Sequence, residues 1–192
     1  MDAITILRDD HRKVEKLFKQ FEKLAKNDAG AEEKAGVVRQ VITELSQHAA
    51  IEEQVFYPAV REEAPKTKDS VLESLEEHHI VKWTLSELDG MTGDETRYDA
   101  KVTVLIESVR HHVEEEEGEL FPMVREALGR KRLVEIGEAM QTARKSAPTH
   151  PHPKAPDTPP GNLVAGAAAG LTDRASDKLG LFGRREKSGT RT

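Results

Sequence analysis

Two eleven-residue stretches, HAAIEEQVFYP at 48–58 and HVEEEEGELFP at 112–122, repeat one skeleton at a constant offset of 64 residues, and the match runs on as PAVRE against PMVRE. In each, a His is followed four residues later by Glu, then by a second Glu, an apolar pair and a Pro. Residues four apart on an α-helix lie one above the other on a single face, so each His-x-x-x-Glu presents an imidazole and a carboxylate to the same point in space. A chain that carries this pair twice must bring two helices together with those faces opposed. Two such pairs facing each other make a metal site.

The rest of the first 145 residues supplies the helices. Ile4, Leu7, His11, Val14, Phe18 and Phe21 recur at spacings of three and four and predict a helix over about residues 3–27, with His11 on its apolar stripe. Asn27-Asp28-Ala29-Gly30 provides the turn. A second helix begins near Ala31, with the stripe Val38, Val41, Leu45, His48, Glu52, Val55 and Ala59, and Pro58 should kink it. A third opens at Asp69 or Ser70 and carries Val71, Leu75, His78, Lys82, Leu85 and Leu88 inward. The fourth follows Asp94, with Val102, Leu105, Val109, His112, Glu116, Leu120 and Met123 on its inner line and a kink at Pro122. Gly129 should close it, and Lys131 to Arg144 reads as a short fifth helix packed on the outside through Leu133, Ile136 and Met140. Four amphipathic helices on short connections predict an all-α, up-down-up-down four-helix bundle over residues 1–145.

Composition changes at Ser146. Residues 147–162 hold six of the nine prolines, and the Gly/Ala-rich stretch that follows has Phe182 as its one aromatic. Residues 146–192 therefore read as a largely disordered tail, with room for a frayed helix between about Asn162 and Leu179. The tail carries seven Lys and Arg against four Asp and Glu, which leaves the first 145 residues with nine excess negative charges. Such an acidic bundle predicts no nucleic-acid partner, since phosphate contacts need clustered Lys and Arg. No run approaches the roughly 18 apolar residues of a membrane span, and no leader-like segment opens the chain, so a soluble cytoplasmic protein is expected.

There is no cysteine, so His and carboxylate are the strong metal donors at hand. Six of them fall on inner stripes: His11, His48, Glu52, His78, His112 and Glu116. Left without partners in a bundle whose one inner cation is Lys82, these groups would cost several kcal/mol per ion, and a metal removes that cost. His79 and His111 adjoin His78 and His112 and remain alternatives, and His111 also has Glu115 four residues on. Glu53 and Glu117 are either solvated or orient a ligating His through its outer ring nitrogen. Tyr57 is a further candidate ligand, because the second repeat has Phe121 in its place. Imidazole with carboxylate suits Fe, Mn, Zn or Co. Two metals on six protein donors leave positions open for water or a small ligand.

The order His, His-x-x-x-Glu, His, His-x-x-x-Glu, with DH at 10–11, EEQVFYP, EHH at 77–79 and EEGELFP, resembles the hemerythrin family, specifically its bacterial HHE cation-binding branch, over about residues 1–128. The resemblance implies two iron ions, oxo- or hydroxo-bridged and spanned by Glu52 and Glu116, in a centre that binds O₂, peroxide or nitric oxide. The oxygen carriers of the family place a second His where this chain has Lys82 and an Asp where it has Glu116. The expectation thus shifts from reversible O₂ carriage to peroxide- or nitric-oxide-consuming activity, as in oxidative stress, or to an iron-binding, sensing or storage module whose tail contacts a protein partner. The ferritin-like alternative needs Glu-x-x-His, the reverse of the order found here.

Overall fold

The computed structural model describes residues 1–156 and 161–179, and no strand occurs among them. Its helices are α1 (Ala3–Lys26), α2 (Ala31–Ile51), α3 (Tyr57–Glu63), α4 (Lys68–Asp89), α5 (Tyr98–Glu115), α6 (Phe121–Arg144) and α7 (Gly161–Leu179). The Asp2 carboxylate caps α1 by accepting the Thr5 N–H at 2.9 Å, and the helix stops where Asp28 turns to φ 49°, a conformation that Asp tolerates better than most residues.

Two apolar clusters show how the helices run. One joins Ile4 and Leu7 from the start of α1 to Ile51 at the end of α2, Val71 at the start of α4, and Leu120 just beyond α5. The other joins Phe18 and Phe21 to Val38, Leu88 and Tyr98, from the opposite ends of the same helices. Successive helices therefore alternate in direction, as predicted, and the six candidate ligands lie between the two clusters. Each fully buried Leu, Ile or Phe contributes on the order of 1.5–3 kcal/mol.

At the two prolines the chain widens instead of simply bending. Glu52–Phe56 and Glu116–Leu120 are π-helical turns that continue directly into α3 and α6, with Tyr57 N–H bonded to the Glu52 carbonyl and Phe121 N–H to the Glu116 carbonyl. Proline has no N–H and its ring crowds the carbonyl four residues earlier, and one extra residue in the turn relieves both. That residue also rotates everything downstream. Phe56, Tyr57 and Val60 are buried where the simple stripe predicted Val55 and Ala59, and Val124 is buried in place of Met123.

The segment after Gly129 (φ 67°) is the fifth helix expected there, packed on the bundle through the three residues expected. Leu133, Ile136 and Met140 are fully buried against Ile4 and Leu7, and α6 comes so close to the N-terminus that a Cβ on Gly137 would lie 2.4 Å from the Met1 carbonyl oxygen. Arg144, at the end of α6, thereby reaches Asp10 on α1.

The helix foreseen in the tail is α7, and polar contacts that composition could not reveal dock it. Asn162 Nδ2 donates to the Glu53 carbonyl at 2.8 Å. Asp173, wholly buried, accepts the backbone N–H groups of Thr149 and His150 at 3.0 and 3.1 Å. The His150 ring joins Asp89 of α4 (3.0 Å) to Asp177 of α7 (2.8 Å). Of residues 146–192, expected to be largely disordered, 157–160 and 180–192 lie outside the described residues.

Burial alone would lower the His150 imidazole, but its bonds to Asp89 and Asp177 outweigh burial and raise it to about 9. Because this folded value exceeds the ordinary His value of about 6.5, the stabilisation is complete below that pH and is lost as pH rises through 9. Tryptic cleavage after Arg174 and Lys178 should therefore accelerate between pH 7.5 and 9.5 in the wild type. His150→Gln should be cleaved fast at both pH values, and identical pH profiles for the two proteins would show that this contact does not hold α7.

Candidate metal centre

His11 comes from the middle of α1, His48 from the end of α2, His78 from α4 and His112 from the end of α5, while Glu52 and Glu116 are the first residues of the two π turns. All six are buried, with exposures of 0–6 %. Potential ligand atoms of His11, His48, Glu52 and Glu116 fall within 4.8 Å of one another, and so do those of Glu52, His78 and His112. The two sets share Glu52. One carboxylate oxygen of Glu52 lies 3.1 Å from His48 Nε2 and 3.4 Å from His78 Nε2, and one of Glu116 lies 3.4 Å from His11 Nε2 and 3.6 Å from His112 Nε2.

The ring nitrogens divide by direction. Outward, His11 Nδ1 donates to Glu117 (2.9 Å), His48 Nδ1 to Asp10 (3.3 Å), His78 Nδ1 to Glu53 (3.0 Å) and His112 Nδ1 to Glu77 (2.7 Å). A carboxylate on Nδ1 fixes the tautomer that leaves Nε2 with its lone pair facing inward, the arrangement found around metal-bound His. Inward, His11 Nε2, His112 Nε2, both oxygens of Glu52 and one of Glu116 are buried with no hydrogen-bond partner. Groups of this kind converging in one layer fit a cation at their centre, and the donor set of imidazole and carboxylate suits a first-row transition metal.

Electrostatics agree. Burial and the facing Glu116 charge drive the Glu52 carboxyl well up, whereas at Glu116 the nearby His112, His11 and His48 overcome burial and hold the carboxyl below its ordinary range. Despite burial, His11 and His112 are raised, because Glu116 favours their charged forms. Protons thus occupy the layer where a cation would otherwise balance the two carboxylates, and metal binding has to displace them. Burial, reinforced by the neighbouring His11, lowers His48 to about 4, so this imidazole is already neutral.

His79 and His111 lie outside the layer. His79 Nε2 accepts from the exposed Trp83 indole at 3.1 Å, and the His111 side chain is 64 % exposed. Tyr57 is brought to the layer fully buried, its hydroxyl donating to Glu116 Oε1 at 2.9 Å and lying 3.4 Å from His78 Nε2. Burial and the Glu116 and Glu52 charges push this phenol well above its ordinary value, so it stays protonated. Lys82 does not face the layer as a donor: its ammonium sits on the Glu53 carboxylate at 2.9 and 3.0 Å. Asp10 and Glu77 are the orienting residues that stripe reasoning passed over. They immediately precede His11 and His78, the inward His of α1 and α4, and that one-residue rotation aims each at the His of the neighbouring helix. A cavity of about 610 Å³ adjoins the layer, walled by Val14, Phe18, Leu45, Leu85 and Val109.

Residues 2–124 match the family model of the hemerythrin HHE cation binding domain. The chain belongs to this hemerythrin HHE family. An uncharacterized hemerythrin-like protein of Schizosaccharomyces pombe is 27 % identical over 171 residues, covering 88 % of this chain and 82 % of that protein. A protein named DNA nickase from Nostoc sp. is 26 % identical over 144 residues, which are 75 % of this chain but 39 % of the nickase. The crystal structure of a hemerythrin HHE cation binding domain-containing protein from Mycobacterium kansasii superposes with a TM-score of 0.61 at 22 % identity, covering 76 % of this chain and 89 % of that one, and thus shares the fold. This hemerythrin HHE chain has no helix long and apolar enough to cross a membrane among its described residues.

Proposed function

We propose that the buried layer holds two iron ions, one toward His11 and His48 and one toward His78 and His112 with Glu52 and Glu116 between them, and that the protein binds or turns over peroxide, nitric oxide or O₂. The observation that carries this reading is the set of inward His and Glu atoms buried without partners, beside a cavity that His11, His48, His78 and His112 line. A bound di-iron centre supplies electron exchange with a small oxidant.

The chain's own residues make the two halves unequal. Four His and Glu residues converge on the first half and three on the second, because Glu116 gathers with His11, His48 and Glu52 and not with His78 and His112, and Lys82, paired to Glu53, adds no lone pair there. The second half is thus the more open to a ligand, and it is the half that the Tyr57 hydroxyl overlooks. Tyr57 holds a proton on its oxygen within hydrogen-bond reach of Glu116, where it can steady an anionic ligand or the carboxylate itself. The cavity wall is largely apolar at Val14, Phe18, Leu45, Leu85 and Val109, with Arg12, Lys16 and Lys19 also lining it, and it gives a small molecule a route to the layer.

Iron analysis of the purified protein combined with peroxide and nitric oxide consumption tests the proposal. Two irons per chain with oxidant consumption supports it. Iron that binds and leaves without consumption replaces it with a sensing or storage role, and a protein that takes up no iron overturns it. Tyr57→Phe offers a finer test, since Phe already stands at the matching position 121. Iron content should be retained while oxidant consumption falls about tenfold, as expected for losing a hydrogen bond to a charged group worth roughly 1.5 kcal/mol. Loss of a broad visible band in this variant would instead make the phenolate a ligand.

A further inference from the structure

The four carboxylates that orient the buried His residues are not treated alike. Arg144 forms a two-pronged pair with Asp10, with one contact at 2.8 Å, Lys82 covers Glu53 at 2.9 Å, and Arg8 lies 3.3 Å from Glu117. At Glu77 the pattern breaks: among the described residues no Lys or Arg stands within 4.0 Å of it. Besides His112, the group that approaches is His111, whose Nε2 is 3.9 Å from Glu77 Oε1, and beyond it Glu115, whose Oε1 is 3.3 Å from the same nitrogen.

From this arrangement we infer a second, peripheral metal site, formed by Glu77 of α4 with His111 and Glu115 of α5, that takes a divalent transition metal such as Zn²⁺, Co²⁺ or Mn²⁺. One ligand atom from each of the three residues lies within 4.8 Å of the other two. His111 and Glu115 are four apart on one helix, so they project side by side, and Glu77 approaches from the facing helix as the third donor. One imidazole and two carboxylates form a mixed nitrogen and oxygen set for a borderline cation. With the side chains 64 %, 41 % and 21 % exposed, water completes the coordination sphere and the ion exchanges with solvent. Glu77 Oε2 remains on His112 Nδ1 at 2.7 Å while Oε1 faces His111, so one carboxylate serves the buried layer with one oxygen and the outer site with the other.

Two features point to a bound cation here. Three of the four orienting carboxylates have Arg or Lys against them, while the fourth, Glu77, shares an imidazole with Glu115 and has no Arg or Lys within 4.0 Å among the described residues. The donor types and separations also differ from a bare acidic patch, which would offer no nitrogen. A protonated His111 is the rival occupant of this position, and substitution separates the two.

The experiment uses the full-length protein, with Zn²⁺ followed by calorimetry and Co²⁺ by its visible absorption, and compares total ions bound per chain among variants. Wild type should bind one ion more than Glu115→Gln and one more than His111→Ala. His111→Lys, which restores a fixed positive charge beside Glu77 but no lone pair, should also lose that ion. Glu114→Gln, the same charge change one residue away on an exposed position, should keep it. Because the readout is a difference of one ion between variants, it holds whichever metal fills the buried centre and whether or not oxidants are consumed. A wild type that binds no more ions than the His111 and Glu115 variants overturns the inference, as does a His111→Lys protein that retains the extra ion.

Discussion

Stripping the buried centre with a chelator should lower the melting temperature by about 8–16 °C. A ligand that binds only the folded state at 1,000 times its dissociation constant contributes about 4 kcal/mol, and each kcal/mol shifts the melting point of a chain of this size by roughly 2–4 °C. The direction follows from the layer itself. Glu52 and Glu116 face each other at 0 and 1 % exposure, and without a cation the folded chain must protonate one carboxyl and hold charged His beside the other. A cation held by His11, His48, Glu52, His78, His112 and Glu116 would balance that charge in place of the protons. Scanning calorimetry of loaded and chelated protein measures the shift. Equal melting temperatures would mean that the six side chains form a self-sufficient polar layer.

His112→Ala should lower the number of ions bound in the layer and destabilise the loaded protein by about 3 kcal/mol, in the range for breaking a buried charged pair. The loss is large because two carboxylates depend on this ring: Glu77 holds its Nδ1 at 2.7 Å and Glu116 lies 3.6 Å from its Nε2. His79→Ala is the matched control. That side chain is exposed, and its removal should change stability by no more than about 0.5 kcal/mol and leave metal content intact. Full loading in His112→Ala, measured by metal analysis, would exclude this residue from the ligand set.

The constant 64-residue offset determined a great deal of this protein unaided. A repeated His-x-x-x-Glu on an apolar stripe specifies helix, face and pairing at once, because a period near 3.6 residues leaves one orientation in which both donors and the apolar residues are buried. The same stripe distinguished His78 and His112 from His79 and His111 as the members of each adjacent pair that reach the core, since neighbours on a helix point about 100° apart. The direction of alternate helices and the inward placement of His11, far from either repeat, were legible for the same reason.

Tertiary structure decided what periodicity does not encode. Pro58 and Pro122 announced kinks, but whether a kink opens into a π turn depends on how the flanking helices pack, and that choice moved Phe56, Tyr57, Val60 and Val124 into the core in place of Val55, Ala59 and Met123. The orienting shell is likewise a product of packing between helices. Glu53 and Glu117 serve His78 of α4 and His11 of α1, 25 and 106 residues away, and no spacing within one helix records such a contact. Arg144 meets Asp10 across 134 residues because Gly129 turns α6 back along α1, and α7 docks through Asn162, Asp173 and His150 although its composition lacks apolar mass. Local sequence sets which face of a helix is buried. Which polar groups meet across those faces is set only once all the helices are in place, because each such pair joins residues whose separation in the chain carries no period.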